Sequence, residues 1–213
     1  MEAAAYLDAA TAASTLIASP QVAAHWDEPS ALPEMTVSAL AGHLARQVTL
    51  IPGRLAQHDP LPAGTELLTV MDHYARVEWI DAPLDDEANV SIRADGADEA
   101  AAGPAALARR TADAVNQLRT MLPQQDGDRP YYLPWTGWAL PLKDFLTTRL
   151  LEIVIHLDDL AVSVDCTPPP LPPEATDTVI GLLARLATRR HGTAAVLRAL
   201  SRKERAPATI SAF

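Results

Sequence analysis

A single cysteine, Cys166, stands in 213 residues. One thiol excludes an intramolecular disulfide framework and predicts a reducing compartment. It follows a helix end and precedes a proline run, with no partner motif around it, so a catalytic thiol is not expected there. Aromatic residues are scarce at 5% and runs of β-branched residues are few, while Ala and Leu dominate; this composition predicts an all-α fold. There is no internal repeat, no glycine-rich phosphate loop and no serine in a nucleophile-elbow context. No uncharged run reaches the length of a membrane span. The most apolar stretch, 148–160, is broken by Arg149, Glu152, His156, Asp158 and Asp159. The opening Met-Glu-Ala-Ala-Ala-Tyr lacks the basic start of a secretory signal. These absences predict a soluble, cytoplasmic protein.

What charge there is lies unevenly. Residues 1–164 hold 10 Lys and Arg against 23 Asp and Glu, whereas residues 165–213 hold 7 against 4. An acidic body argues against nucleic acid or an anionic membrane as a partner. The basic end (Arg198, Arg202, Lys203, Arg205) is read as a solvated helix terminus rather than a docking site.

The length suits one large domain or a domain with an appendage, and 48% hydrophobic residues suffice for a core. A first helix is predicted over 2–18, ending near Pro20. Thr36 is the expected N-cap of a second, running to about Gln57 with Val37, Leu40, Ala41, Leu44, Val48 and Ile51 at helical spacing. Pro52 and Gly53 predict a bend or an early end. Residues 65–81 read as a further helical piece, and the acidic, Ala- and Gly-rich stretch 81–103 has no assigned element. Another bundle helix spans about 105–121. Residues 130–141, with two tryptophans and three prolines, predict a short hairpin or ordered loop. Trp135 and Trp138 there either line a pocket or plug the bundle end. A long apolar helix covers about 142–164, and a proline-rich connector leads to a helix over 174–200, breakable at Gly192. The expected architecture is a four-helix bundle (1–165), then a connector and an additional C-terminal helix packed on it (166–213).

The long apolar helix carries the candidate chemistry. Glu152 and His156 are about 40° apart around its axis and about 6 Å apart along it, with Asp159 near the same line. Every other face is apolar, so the stripe is buried and needs partners. An i,i+4 ion pair is the ordinary explanation; a metal is the other. His43, on the second helix among equally apolar neighbours, is the candidate third ligand. Gly42 beside it permits close approach of another helix. Two histidines and a glutamate leave coordination positions open, as a substrate-binding metal requires. Zinc is the first expectation, with nickel, manganese and iron also accepting this set. Asp159 would orient a ligand or bind substrate, unless it merely caps the helix or pairs with Arg46 or Arg149. Asp159 and Arg149 are the candidate catalytic residues. His25, His58, His73 and His191 read as surface or packing residues, with His73 the substitute if His43 fails. The acidic pairs Asp85-Asp86 and Asp98-Glu99 are placed in polar loops.

Two segments, Met35–Ala45 around His43 and Arg149–Ala161 around Glu152 and His156, resemble the N-terminal domain of mycothiol-dependent maleylpyruvate isomerase, a DinB-like helical bundle. The spacing of the two motifs and the Trp-Gly turn before the second fit as well. The resemblance covers roughly residues 1–165. It implies a divalent metal held by His43, Glu152 and His156, mycothiol or another low-molecular-weight thiol as cosubstrate, and a small electrophilic substrate undergoing isomerisation or thiol transfer. That isomerase carries a second domain supplying a basic residue. Here only about 48 residues follow Asp165, where Arg185, Arg189 or Arg190 would have to substitute. A non-enzymatic metal-binding or stress-response bundle is the alternative, and a homodimer is left open.

Overall fold

The computed structural model describes residues 3–57, 60–77, 80 and 82–213. Its helices, in chain order, are α1 (Ala3–Ile17), α2 (Pro20–Ala24), α3 (Val37–Leu55), α4 (Val70–Arg76), α5 (Glu87–Ala100), α6 (Pro104–Met121), α7 (Leu142–Ser163), α8 (Pro173–His191) and α9 (Thr193–Ser201). A two-stranded hairpin, β1 (Pro130–Leu133) and β2 (Trp138–Pro141), leads directly into α7. Four helices form the bundle: α1 packs on α6 and α7, and α3 packs on the same two from the other side. Among the described residues no helix is long and apolar enough to cross a membrane.

The bundle helices form where the apolar spacing puts them. All six spaced residues of α3, from Val37 to Ile51, are buried, and the Thr36 hydroxyl caps the helix by accepting the Ala39 N–H at 3.2 Å. Pro52 does not end α3, which runs on to Leu55. A proline in the last turn forfeits one backbone hydrogen bond, a loss its burial there offsets. Tyr6 of α1, fully buried, donates its hydroxyl to the Gln47 carbonyl at 2.8 Å, tying α1 to the middle of α3. At the C-terminal end, Gly192 takes φ 82° and separates α8 from α9. Helix α8 lies on α7, while Arg198, Arg202, Lys203 and Arg205 are exposed to solvent.

Two segments differ from the sequence expectation. Residues 65–81 are not one helix. The Ala139 N–H donates to Glu66 and the Leu68 N–H to Ala139, both at 2.9 Å, so 66–68 run beside β2 as an extended segment. Thr69 then caps the short α4 by accepting the Asp72 N–H; Trp79 and Asp81 lie outside the described residues. The unassigned stretch contains α5, capped by Asp86, whose carboxylate accepts the Ala88 N–H at 3.0 Å. Asp98 and Glu99 belong to the last turn of this helix and not to a loop.

Helix α5 has no apolar face; only Gly96 and Ala100 in it are buried. It docks backbone to backbone on α3. A Cβ on Gly42 would lie 2.0 Å from the Gly96 carbonyl oxygen, and a Cβ on Gly96 would lie 2.5 Å from that of Ala39. Polar ties flank the crossing: Arg46 to Asp95 at 2.7 Å, Arg93 to Glu34 at 2.9 Å and the Thr49 hydroxyl to Glu99 at 3.2 Å.

Replacing Gly42 by alanine therefore separates α5 from α3. Gly42→Ala is expected to destabilise the protein by about 3 kcal/mol through overpacking, although alanine is intrinsically the better helix residue by about 1 kcal/mol. Gly181→Ala, at an exposed position of α8 where an added Cβ meets nothing, should instead stabilise by up to about 1 kcal/mol. Urea unfolding of both variants measures this; shifts of the same sign would contradict the contact.

Candidate metal centre

The α3–α7 interface brings His43, Glu152 and His156 together. One atom from each lies within 4.8 Å of the others, the only such group of three metal-binding side chains among the described residues. The Glu152 Oε2 atom is 3.3 Å from Nε2 of His43 and 3.3 Å from Nε2 of His156. The two imidazole rings meet edge to face, with centroids 4.8 Å apart. His156 turns its other nitrogen away: Nδ1 lies 2.9 Å from the Asp159 carboxylate. That bond places a proton on Nδ1 and turns Nε2 to the cluster, where its N–H donates to Glu152 and would give way to a bound cation. Asp159 thus pairs with His156, while Arg46 pairs with Asp95 and Arg149 turns to Gln47.

Behind His43 stands a second polar chain. Arg149 Nη1 donates to Gln47 Oε1 at 2.7 Å, and Gln47 Nε2 donates to the His43 carbonyl at 2.9 Å. Gln47 is buried, so these bonds satisfy it and link α7 to the turn of α3 that carries His43. Among the described residues no carboxylate pairs with Arg149.

The electrostatics follow from this packing. Burial alone would raise the Glu152 carboxyl, but hydrogen bonds from His156 and His43 hold it well below the usual carboxylate range. Burial lowers His43, outweighing its bond to Glu152. Burial opposes protonation of His156 too, yet the hydrogen bonds to Asp159 and Glu152 prevail and push it up to about 9. The cluster is a buried carboxylate held between two imidazoles of unequal basicity.

The cluster opens into a cavity of about 830 Å³ walled by α3, α4, α5, α7 and the hairpin. Trp135 and Trp138 both line it, which decides for the pocket over the plug. Trp135 is more than half exposed, with the Arg54 guanidinium 4.8 Å above its ring. Phe213 reaches the same cavity and packs on Tyr74, their ring centroids 5.8 Å apart. His73 is a cavity residue as well, buried beside Trp138. From the sequence it is expected as a surface or packing residue, or as the substitute for His43; His43 itself completes the cluster. Its signal was a His-Tyr pair in a helix too short to show a period, and the partner that matters, Trp138, is remote in the chain. His25 and His191 bond backbone carbonyls, those of Gln21 and Ser211; His58 lies outside the described residues. Burial raises the Cys166 thiol, consistent with an unreactive residue.

The helical bundle with its small hairpin has a DinB-like helical fold. Residues 7–161 match the family described as the mycothiol maleylpyruvate isomerase N-terminal domain, and the chain belongs to that family. Among solved structures it is similar to the crystal structure of the mycothiol-dependent maleylpyruvate isomerase, with a TM-score of 0.53 and 18% sequence identity. That match covers 88% of this chain and 70% of the other, and at this identity it speaks for the fold. No curated protein sequence matches the chain.

The buried His73 generates a prediction on stability. Burial, and then the nearby Arg149 charge, lower it to about 4, against a weaker opposing effect of Glu152. Protonated His73 would also set an N–H against the Trp138 indole N–H, which donates to Nδ1 at 3.2 Å. A histidine depressed in the folded state contributes full stability above its ordinary pKa of 6.5 and loses it as pH falls toward 4. The loss across that window amounts to about 3 kcal/mol. Unfolding free energies from pH 7 to 4 should fall less steeply in His73→Gln than in the wild type; identical slopes would contradict it.

Proposed function

We propose that this protein is a metal-dependent enzyme that uses a low-molecular-weight thiol, such as mycothiol, to isomerise or transfer a thiol to a small electrophilic substrate. The observation that carries the reading is the convergence of two imidazoles and one carboxylate at the wall of a large cavity. The donor set fits a divalent cation. Its nitrogen and oxygen atoms suit zinc first, with nickel, manganese and iron also accepted, and the Asp159 bond already presents His156 through the correct nitrogen. The family match and the similar isomerase fold support the thiol and the reaction class.

His43, Glu152 and His156 would hold the ion. The chemistry such an ion supplies when bound is acidification of a coordinated thiol, so that thiolate is present near neutral pH. Asp159 keeps His156 in the ligating tautomer. Gln47 and Arg149 brace the backbone at His43, and Arg149, with no carboxylate partner among the described residues, offers a positive charge to an anionic part of the substrate. Trp135, Trp138 and Phe213 supply apolar walls that limit water around the reacting groups.

Protein purified without chelators or acid should carry close to one equivalent of divalent metal, and His156→Ala should carry none. Metal-free wild type would sink the reading. Asp159→Ala should keep the fold but weaken metal binding about 10–100-fold, the usual effect of removing a carboxylate behind a ligating histidine; competition with a chromogenic chelator measures it. Turnover of maleylpyruvate with mycothiol, and a change in the cobalt-substituted spectrum on adding the thiol, test the reaction. A cobalt spectrum indifferent to thiols would favour a non-enzymatic metal-binding bundle.

A further inference from the structure

His73 has one nitrogen spent and one free. The Trp138 indole N–H can only donate, so the His73 Nδ1 that receives it at 3.2 Å carries a lone pair. The neutral ring then bears its proton on Nε2. Among the described residues nothing accepts that N–H, although His73 is only 5% exposed and lines the cavity that holds the cluster. The Glu152 carboxylate is near enough to act on its charge but is taken up by His43 and His156. The Tyr74 hydroxyl beside it is itself buried without a hydrogen-bond partner, and the neighbouring Arg149 is a donor. Nε2 is not among the fully buried atoms that lack a partner, so this N–H keeps access to the cavity, where an incoming oxygen can accept it.

We propose that His73 is a substrate-binding residue, its Nε2–H donating to an acceptor oxygen of the substrate, a carbonyl or carboxylate oxygen, and that Trp138 is the positioning residue that fixes its tautomer. Chain connectivity builds the pair. Residues 66–68 run beside β2, so α4 starts against the strand that carries Trp138. A neutral imidazole so held orients and polarises an oxygen without giving up its proton. It adds to the cavity a contact independent of the metal-binding cluster, on an element that contributes none of the three cluster residues. The inference rests on the reading of the cavity as a small-molecule site, not on turnover.

The test is binding of maleylpyruvate without thiol, measured by calorimetry on the metal-loaded protein, together with ¹⁵N spectra of its histidines. Wild type should bind, with His73 protonated at Nε2 and its signal shifting on saturation. His73→Phe should weaken binding about ten-fold, the scale of one lost hydrogen bond. His73→Gln, whose amide can donate at similar reach, should restore most of the affinity. Trp138→Phe should keep the imidazole but mix its tautomers and weaken binding about three-fold. Equal affinity of His73→Phe and wild type, or a proton found on Nδ1, overturns the inference even if the enzyme turns over. His73-dependent binding by a protein that never turns over upholds it while the reaction reading fails. Absence of wild-type binding overturns the inference and the substrate reading together.

Discussion

Everything near the cavity depends on one buried carboxylate. Glu152 sits in the bundle interior, where an unpaired charge would cost several kcal/mol, and a single oxygen meets imidazoles from two helices. That requirement couples the register of α3 to that of α7. A shift of one residue along either helix would swing a histidine out of reach and leave the charge uncompensated. The surrounding polar groups are arranged to support the same pairing. Asp159 holds His156 from behind, and the Arg149–Gln47 pair holds the backbone of His43. Glu152, His156 and Gln47 thus each find partners around the cluster, as a bundle core with buried ionisable groups demands.

The opposite wall is built by different means. A hairpin of eight strand residues is extended by three residues of the preceding chain, and this small sheet carries the tryptophans and sets the start of α4. The bundle therefore supplies the charged floor of the cavity, and the sheet and its attached helix supply an aromatic side with neutral donors. Phe213, arriving from the far end of the chain, packs on that aromatic side against Tyr74.

The bundle was legible in the sequence because α1, α3, α6 and α7 bury continuous apolar stripes, and periodicity reports burial of that kind. The cluster was legible for a related reason: Glu152 and His156 interrupt an otherwise apolar helix, and His43 does the same in α3. Helix α5 was not legible. It buries two small residues and docks through Gly42 and Gly96, so it leaves no periodic trace. The break of 65–81 into an extended piece and a short helix depends on hydrogen bonds to Ala139, seventy residues away, which no local pattern records. The pairing of His73 with Trp138 is hidden for the same reason, since the two are remote in the chain.

The docking of α5 also fixes what kind of wall it makes. The closest contact is backbone against backbone at Gly42 and Gly96, and α5 buries no large apolar side chain. Beside it stand two ion pairs, Arg46–Asp95 and Arg93–Glu34, whose carboxylates are about half exposed. Their grip weakens as dissolved ions screen them over a distance of about 8–10 Å at ordinary ionic strength. This side of the cavity is therefore fastened both by the close fit at Gly42 and Gly96 and by charge, and only the second part varies with the salt in the medium.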